Sequence, residues 1–213
     1  MRSRLVLASA SPARLATLRG AGIEPEVVVS GVDESAVTGA DPATLARELA
    51  TRKARAVAAG LSDAWVIGCD SLLELDGEML GKPRDADDAV ARWGRMSGRS
   101  GVLHTGHCVI DLPATGPSRE IIRAATTVVH FARMRDEEVE AYVATGEPLH
   151  VAGAFTVDGL GGPFVSAIEG DHHNVVGLSL PVLRSMFDEL GVVWTDLWER
   201  FGVTRQEGRA PAR

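Results

Sequence analysis

An apolar run over Arg4–Ala8 (RLVLA) predicts a first strand, and leucines at 15 and 18 behind Ser11-Pro12 predict a helix over 13–21. Ser11 is placed to cap that helix and Pro12 to occupy its first position. Glu26–Ser30 reads as a second short strand. A strongly marked helix follows over Pro42–Ala59: Asp41 caps it, Gly60 stops it, and Ala46, Leu49, Ala50, Ala54, Val57 and Ala58 form its apolar stripe. The pattern centres on Val66–Pro83, VIGCDSLLELDGEMLGKP, where alternating apolar residues flank Asp76-Gly77. An Asp-Gly in that setting is the strongest short-range hairpin signal. Beyond it the spacing predicts a helix over 85–96, two long strands over 102–112 and 118–133, and a helix over 136–145. A short strand over 164–168, a polar turn over 169–174 and a last clear helix over 180–190 complete the pattern. Residues after about 203 read as a frayed tail. The expectation is one domain over 1–203 and a disordered tail over 204–213.

The chain has 213 residues, enough for a sizeable core. Its net charge of −7 excludes a large nucleic-acid surface. A small polyanion remains compatible if the cations are gathered in one cleft. No apolar run approaches the roughly 20 residues of a membrane span. The first apolar run is broken by Ser9, Ser11 and Pro12, short of the roughly 7–15 residues of a signal-peptide core, so the reading is a cytoplasmic protein. Cys69 and Cys108, the two cysteines, lie in strand-like runs and read as small buried hydrophobes rather than a disulfide framework.

Several charged residues sit oddly against this pattern. Asp70 interrupts the central apolar run and needs a cation or a metal beside it, because an unpaired buried carboxylate is costly. One reading is a structural ion pair with Lys82 across the hairpin; the other is a catalytic acid. Lys53 falls on the apolar stripe of its helix, either snorkelling from the edge or aimed at a cleft. Arg14 lies in the first turn of a helix, where the dipole disfavours a cation and favours an anion. Ser9 and Ser11 serve capping, or a phosphate bound at that helix start. Asp33 and Glu34 form a paired-acid loop. His104 and His107, three apart on a strand, face opposite ways and make a poor metal pair. Adjacent His172 and His173 do not converge readily on one ion either.

The blocks SASPARLATLRGAGI, DES, KARAVA, VIGCDSLLELDGEMLGKP, SGRSGVLHTG, EEVEAYVATGEPLHVAGAF and IEGDHHNVVGL occur in this order. Together they resemble the Maf family of nucleotide pyrophosphatases over about 5–190. The resemblance implies an α/β fold with a long, bent mixed sheet flanked by helices, in two lobes around a cleft, similar to inosine triphosphate pyrophosphatases. It implies hydrolysis of a nucleoside triphosphate to monophosphate and pyrophosphate with a divalent metal, Mg2+ or Mn2+, in a house-cleaning role, by a chain that forms a homodimer. The rival reading is a nucleotide-binding regulator of cell division and septum formation with little catalysis. By the same resemblance Asp70 is the catalytic acid that accepts a proton from water, with Lys53 and Lys82 beside it. Ser9 and Arg14 contact the triphosphate, and Glu34 joins Asp70 at the metal. Ala13, Ser71 and Asp158 fall where members preferring dTTP and UTP carry Arg, Thr and Gln, and where members acting on methylated GTP carry an aromatic residue, Gln and Glu. The chain matches neither set. It also has Gly101, His104 and Val151 where the family commonly has His, Tyr and Lys.

Overall fold

The computed structural model describes residues 2–33 and 41–202. Glu34 and the tail expected over 204–213 lie outside the described residues. The architecture is α/β. Among the described residues a mixed sheet has seven strands, in the order β2-β1-β3-β5-β6-β7 with β4 on β3. The strands are β1 (Arg4–Leu7), β2 (Glu26–Val27), β3 (Ala64–Leu75), β4 (Glu78–Leu80), β5 (Ser100–Leu112), β6 (Arg119–Phe131) and β7 (Val165–Glu169). The helices are α1 (Pro12–Gly20), α2 (Pro42–Ala58), α3 (Ala86–Met96), α4 (Asp136–Ala144), α5 (His172–Val176), α6 (Leu180–Glu189) and α7 (Trp194–Phe201). No helix among the described residues is long and apolar enough to cross a membrane.

The central strand β3 explains the cleft. One edge pairs with β5 from Ala64 to Glu74. Its other edge pairs in parallel with β1 over Ala64–Ile67 and in antiparallel with β4 over Leu73–Leu75. Between these partners, residues 68–72 have no strand neighbour on that side among the described residues. Asp70 and Ser71 sit in this gap. The hydrophobic core follows the same division. A cluster around Leu73, Trp93, Phe131 and Tyr142 lies at one end of β3, and clusters around Leu5, Ile67 and Phe187 and around Val6, Ala54 and Val66 lie at the other.

Local signals set most of the elements. Ser11 accepts the Arg14 N–H at 3.4 Å, Asp41 that of Thr44 at 3.0 Å and Asp85 that of Asp88 at 2.8 Å, each capping a helix. The turn between β3 and β4 has Asp76 and Gly77 both at positive φ, 55° and 78°, as a type I′ hairpin requires.

Three expectations are corrected. The strand expected over 26–30 pairs only at Glu26 and Val27, opposite the end of β1, with one further bond from the Val28 N–H to the Leu7 carbonyl at 3.1 Å. The polar turn over 169–174 contains the start of α5, whose cap Asp171 accepts the His173 N–H at 3.0 Å. The helix over 180–190 is followed by another, α7, which lays Leu197, Trp194 and Phe201 against the cluster of Leu5 and Phe187.

Candidate active site

A cleft of about 690 Å3 opens at the gap in β3. It is lined by the β1–α1 loop and the start of α1 (Ser9 to Arg14), by Lys53 of α2, Asp70 and Ser71 of β3, Lys82, and His150 to Asp158. Of the residues expected from sequence, Ser9, Ala13, Arg14, Lys53, Asp70, Ser71, Lys82 and Asp158 all face this one cavity.

At its floor, Lys53 Nζ lies 2.5 Å from Asp70 Oδ1. Both side chains are nearly closed off, 9% and 7% exposed, so the pair is largely desolvated. The cation that reaches Asp70 from the described chain is therefore Lys53, and the ion pair between Asp70 and Lys82 across the hairpin is not formed. Glycines make this contact. Gly68 and Gly106 lie on adjacent strands under α2, and a Cβ on Gly68 would meet the Ala50 carbonyl oxygen at 2.3 Å. One on Gly106 would meet the Ala46 carbonyl oxygen at 2.1 Å. The helix backbone thus rests directly on the sheet, and Gly106 is the residue opposite Asp70 in the ladder.

Arg14 is held by uncharged groups. Its Nε donates to the Gly177 carbonyl at 2.7 Å, one terminal nitrogen to Ser9 Oγ at 3.2 Å and the other to Ser71 Oγ at 3.1 Å. Lys82 is exposed, on a loop fixed by Arg92, which donates to the carbonyls of Gly81 at 2.7 Å and Lys82 at 3.3 Å. Among the described residues neither Arg14 nor Lys82 has a carboxylate within ion-pair distance. In a chain of net charge −7, two cations lining one cleft without a carboxylate partner among the described residues suit a polyanion. Behind the cleft lining at Thr156 and Asp158, Glu147 takes hydrogen bonds from Tyr142 Oη (3.1 Å), Thr156 Oγ1 (2.5 Å) and the N–H groups of Leu160 (3.0 Å) and Gly161 (3.1 Å). This clamp fixes the loop that carries Asp158, and these hydrogen bonds hold the Glu147 carboxyl below its ordinary range although burial opposes them.

A family model described as Maf-like protein matches residues 4–190. The chain belongs to the Maf family. Relatives named nucleoside triphosphate pyrophosphatase include those of Streptomyces coelicolor, 59% identical over 92% of this chain and 95% of that protein, and Nostoc punctiforme, 50% identical over 91% and 97%. Likeness to solved structures is weaker. The dITP/XTP pyrophosphatase of Mycobacterium abscessus is 20% identical, with a TM-score of 0.37 over 61% of this chain and 75% of that one.

Within this Maf cleft, Gly68, Gly106, Gly177 and Arg92 were not singled out by sequence reasoning. For the first two the signal was present, since glycine inside a strand pattern marks close backbone approach. The histidines behave as their spacing predicts. Both are buried: His104 meets Glu74 Oε2 at 3.0 Å, and His107 accepts the Ser179 N–H at 2.8 Å. Burial first, then the charge of Arg14, lowers His107 to about 4, so it stays neutral at pH 7. Both cysteines are buried and free. Burial is the largest influence on each, raising Cys69 to about 11, with Asp70 a smaller contributor, and Cys108 to about 12. At about pH 8 roughly one Cys69 thiol in a thousand is ionised. Native protein is therefore expected to resist iodoacetamide at both positions; mass spectrometry showing rapid native alkylation would contradict this.

Proposed function

We propose that this protein hydrolyses nucleoside triphosphates to a monophosphate and pyrophosphate, with Asp70 as the proton acceptor. The observation that carries this reading is the desolvated Asp70–Lys53 pair on the floor of a cleft that Arg14 and Lys82 also line. The kinship to proteins named for this activity supports it. Water adds to phosphorus at the bridge between the α- and β-phosphates, and the bridging P–O bond breaks. Asp70 takes the proton of the attacking water. Lys53, 2.5 Å away, holds that carboxylate in place on the cleft floor. Arg14 and Lys82 neutralise charge that builds on the phosphate oxygens, where fixed donors count most in a partly dry site. Ser9 accepts from the Ser11 N–H at 3.2 Å and from Arg14, which leaves its own O–H to donate to a phosphate.

The donor set fits a hard divalent cation carried by the substrate. Mg2+ is held by one or two carboxylates plus phosphates rather than by an all-protein cage. Asp70 supplies such a carboxylate, Glu34 is the second by family resemblance, and no group of three or more ligating side chains is placed for a metal among the described residues. When bound, such an ion would neutralise phosphate charge and lower the pKa of a bound water. A nucleotide-binding regulator would have no use for a base beside the phosphates.

In this reading Asp158, exposed on its clamped loop and lining the cleft, accepts from amino or ring N–H groups of the base. The test of that role is a panel of nucleoside triphosphates with Mg2+ or Mn2+, comparing wild type with Asp158→Asn. Pyrophosphate is expected from the wild type, and the variant is expected to shift kcat/KM between bases by about tenfold, as one hydrogen bond to the base is gained or lost. An unchanged base profile would remove Asp158 from recognition, and no turnover on any triphosphate would overturn the reading itself.

A further inference from the structure

We propose that Thr105 and Asn174, neither of which lines the cleft, are positioning residues that set Arg14 through Ser71, so that Ser71 braces the arginine instead of donating to the nucleotide base. The proposal rests on the triphosphate reading of the cleft. Thr105 and Asn174 are fully buried. Ser71 Oγ lies 3.1 Å from Arg14 Nη2 and 2.9 Å from Thr105 Oγ1, and Thr105 Oγ1 lies 3.2 Å from the Asn174 carbonyl.

The ends of this chain fix the direction of every proton in it. A guanidinium only donates and a carbonyl only accepts, while each hydroxyl has one hydrogen to give. Thr105 must spend its hydrogen on the Asn174 carbonyl. Ser71 must then donate to Thr105, and its oxygen is left to accept from Arg14. The Ser71 hydroxyl hydrogen is therefore committed to the protein, and bonds aligned head to tail in this way strengthen one another.

Asn174 is itself held. Its Nδ2 donates to Thr127 Oγ1 at 2.9 Å and to the Leu103 carbonyl at 3.3 Å, and Thr127 Oγ1 donates to the Asp171 carbonyl at 3.1 Å. The short helix α5 is thereby tied to β5 and β6. Its C-cap, Gly177, sits at a φ of 114° and presents the carbonyl that accepts Arg14 Nε. Arg14 is thus gripped from two sides by the same buried network, by way of Ser71 and by way of Gly177. These contacts and that to Ser9 leave an N–H on each terminal nitrogen for a phosphate, a fork preset before the anion arrives.

The test measures affinity for inorganic tripolyphosphate by calorimetry and kcat/KM for a triphosphate, in wild type, Thr105→Val, Thr105→Ser, Ser71→Ala, Arg14→Lys and Arg14→Lys/Thr105→Val. Thr105→Val keeps the volume and removes the hydroxyl, and it is expected to weaken tripolyphosphate binding about tenfold, in line with small misplacements of a positioning group. Thr105→Ser is expected to stay near wild type. In the Arg14→Lys background the valine is expected to cost less than about twofold, the non-additivity of residues acting through one another. If Thr105→Val is too unstable to assay, Ser71→Ala carries the same expectation. Wild-type affinity in Thr105→Val or Ser71→Ala, or an equal loss on both backgrounds, would overturn the proposal. The expected affinity pattern without turnover in the wild type would overturn the pyrophosphatase reading and leave the positioning role supported.

Discussion

The Lys53→Met variant is expected to lose about 3–5 kcal/mol of stability, because it leaves Asp70 buried without the ammonium that faces it at 2.5 Å. Asp70→Asn keeps a hydrogen-bond acceptor near Lys53 and is expected to stay folded while turnover falls by about 10²–10⁴, the worth of a positioned base. The decisive variant is Lys53→Met/Asp70→Leu. Replacing both members of a buried ion pair by apolar side chains of similar volume is often neutral or stabilising. The double variant should therefore recover most of the stability lost by Lys53→Met and recover none of the activity. A structural pair and a catalytic pair differ on this point. If the two charges served only the fold, an apolar pair that restored stability would restore turnover as well. Thermal or urea unfolding, run beside a pyrophosphate-release assay, checks both halves.

Gly106→Ala is the second large effect. Its Cβ would stand 2.1 Å from the Ala46 carbonyl oxygen, 2.2 Å from the Ala46 carbonyl carbon and 2.5 Å from the Arg47 nitrogen. All three are backbone atoms of α2, so no side chain can turn aside to make room. The helix must lift from the sheet or the strand must bend. Overpacking a tight interior costs about 1–3 kcal/mol, and a backbone clash belongs at the upper end. The functional consequence is larger than a generic loss of stability. Lys53 is carried on α2 and Asp70 is paired with Gly106 on the neighbouring strand. Lifting the helix separates the two, and a displacement of about 1 Å at such a contact can cost about 10²-fold in rate. Gly94→Ala is the control, since a Cβ there meets nothing within 4 Å and α3 should tolerate it. Comparable kcat/KM in the two glycine variants would contradict the account.

The elements written in local chemistry were legible from the sequence: the caps Ser11, Asp41 and Asp85, the Asp-Gly hairpin, and the stripe of α2. The residues that resisted this pattern, Arg14, Lys53, Asp70 and Lys82, converge on one cleft. What the sequence did not disclose was non-local. Which lysine meets Asp70 depends on α2 settling onto Gly68 and Gly106, a contact between segments far apart in the chain. The length of β2 depends on where β1 ends. The helices α5 and α7 are five and eight residues long, too short for periodicity to declare them, and α7 is defined by the Leu5 and Phe187 cluster that it covers. Ser71 was marked only by the family resemblance, because its hydroxyl partners, Arg14 and Thr105, come from other elements.

The central claim is that the bridge between the α- and β-phosphates is the bond that breaks. The most direct test follows the 31P spectrum of a single preferred nucleoside triphosphate, with Mg2+, in water enriched in 18O. Monophosphate and pyrophosphate in equal amounts, with one 18O per turnover in one of them and the reaction absent in Asp70→Asn, is the predicted result. Diphosphate and inorganic phosphate as the first products would contradict it, and would make this cleft that of a phosphatase acting on the terminal phosphate.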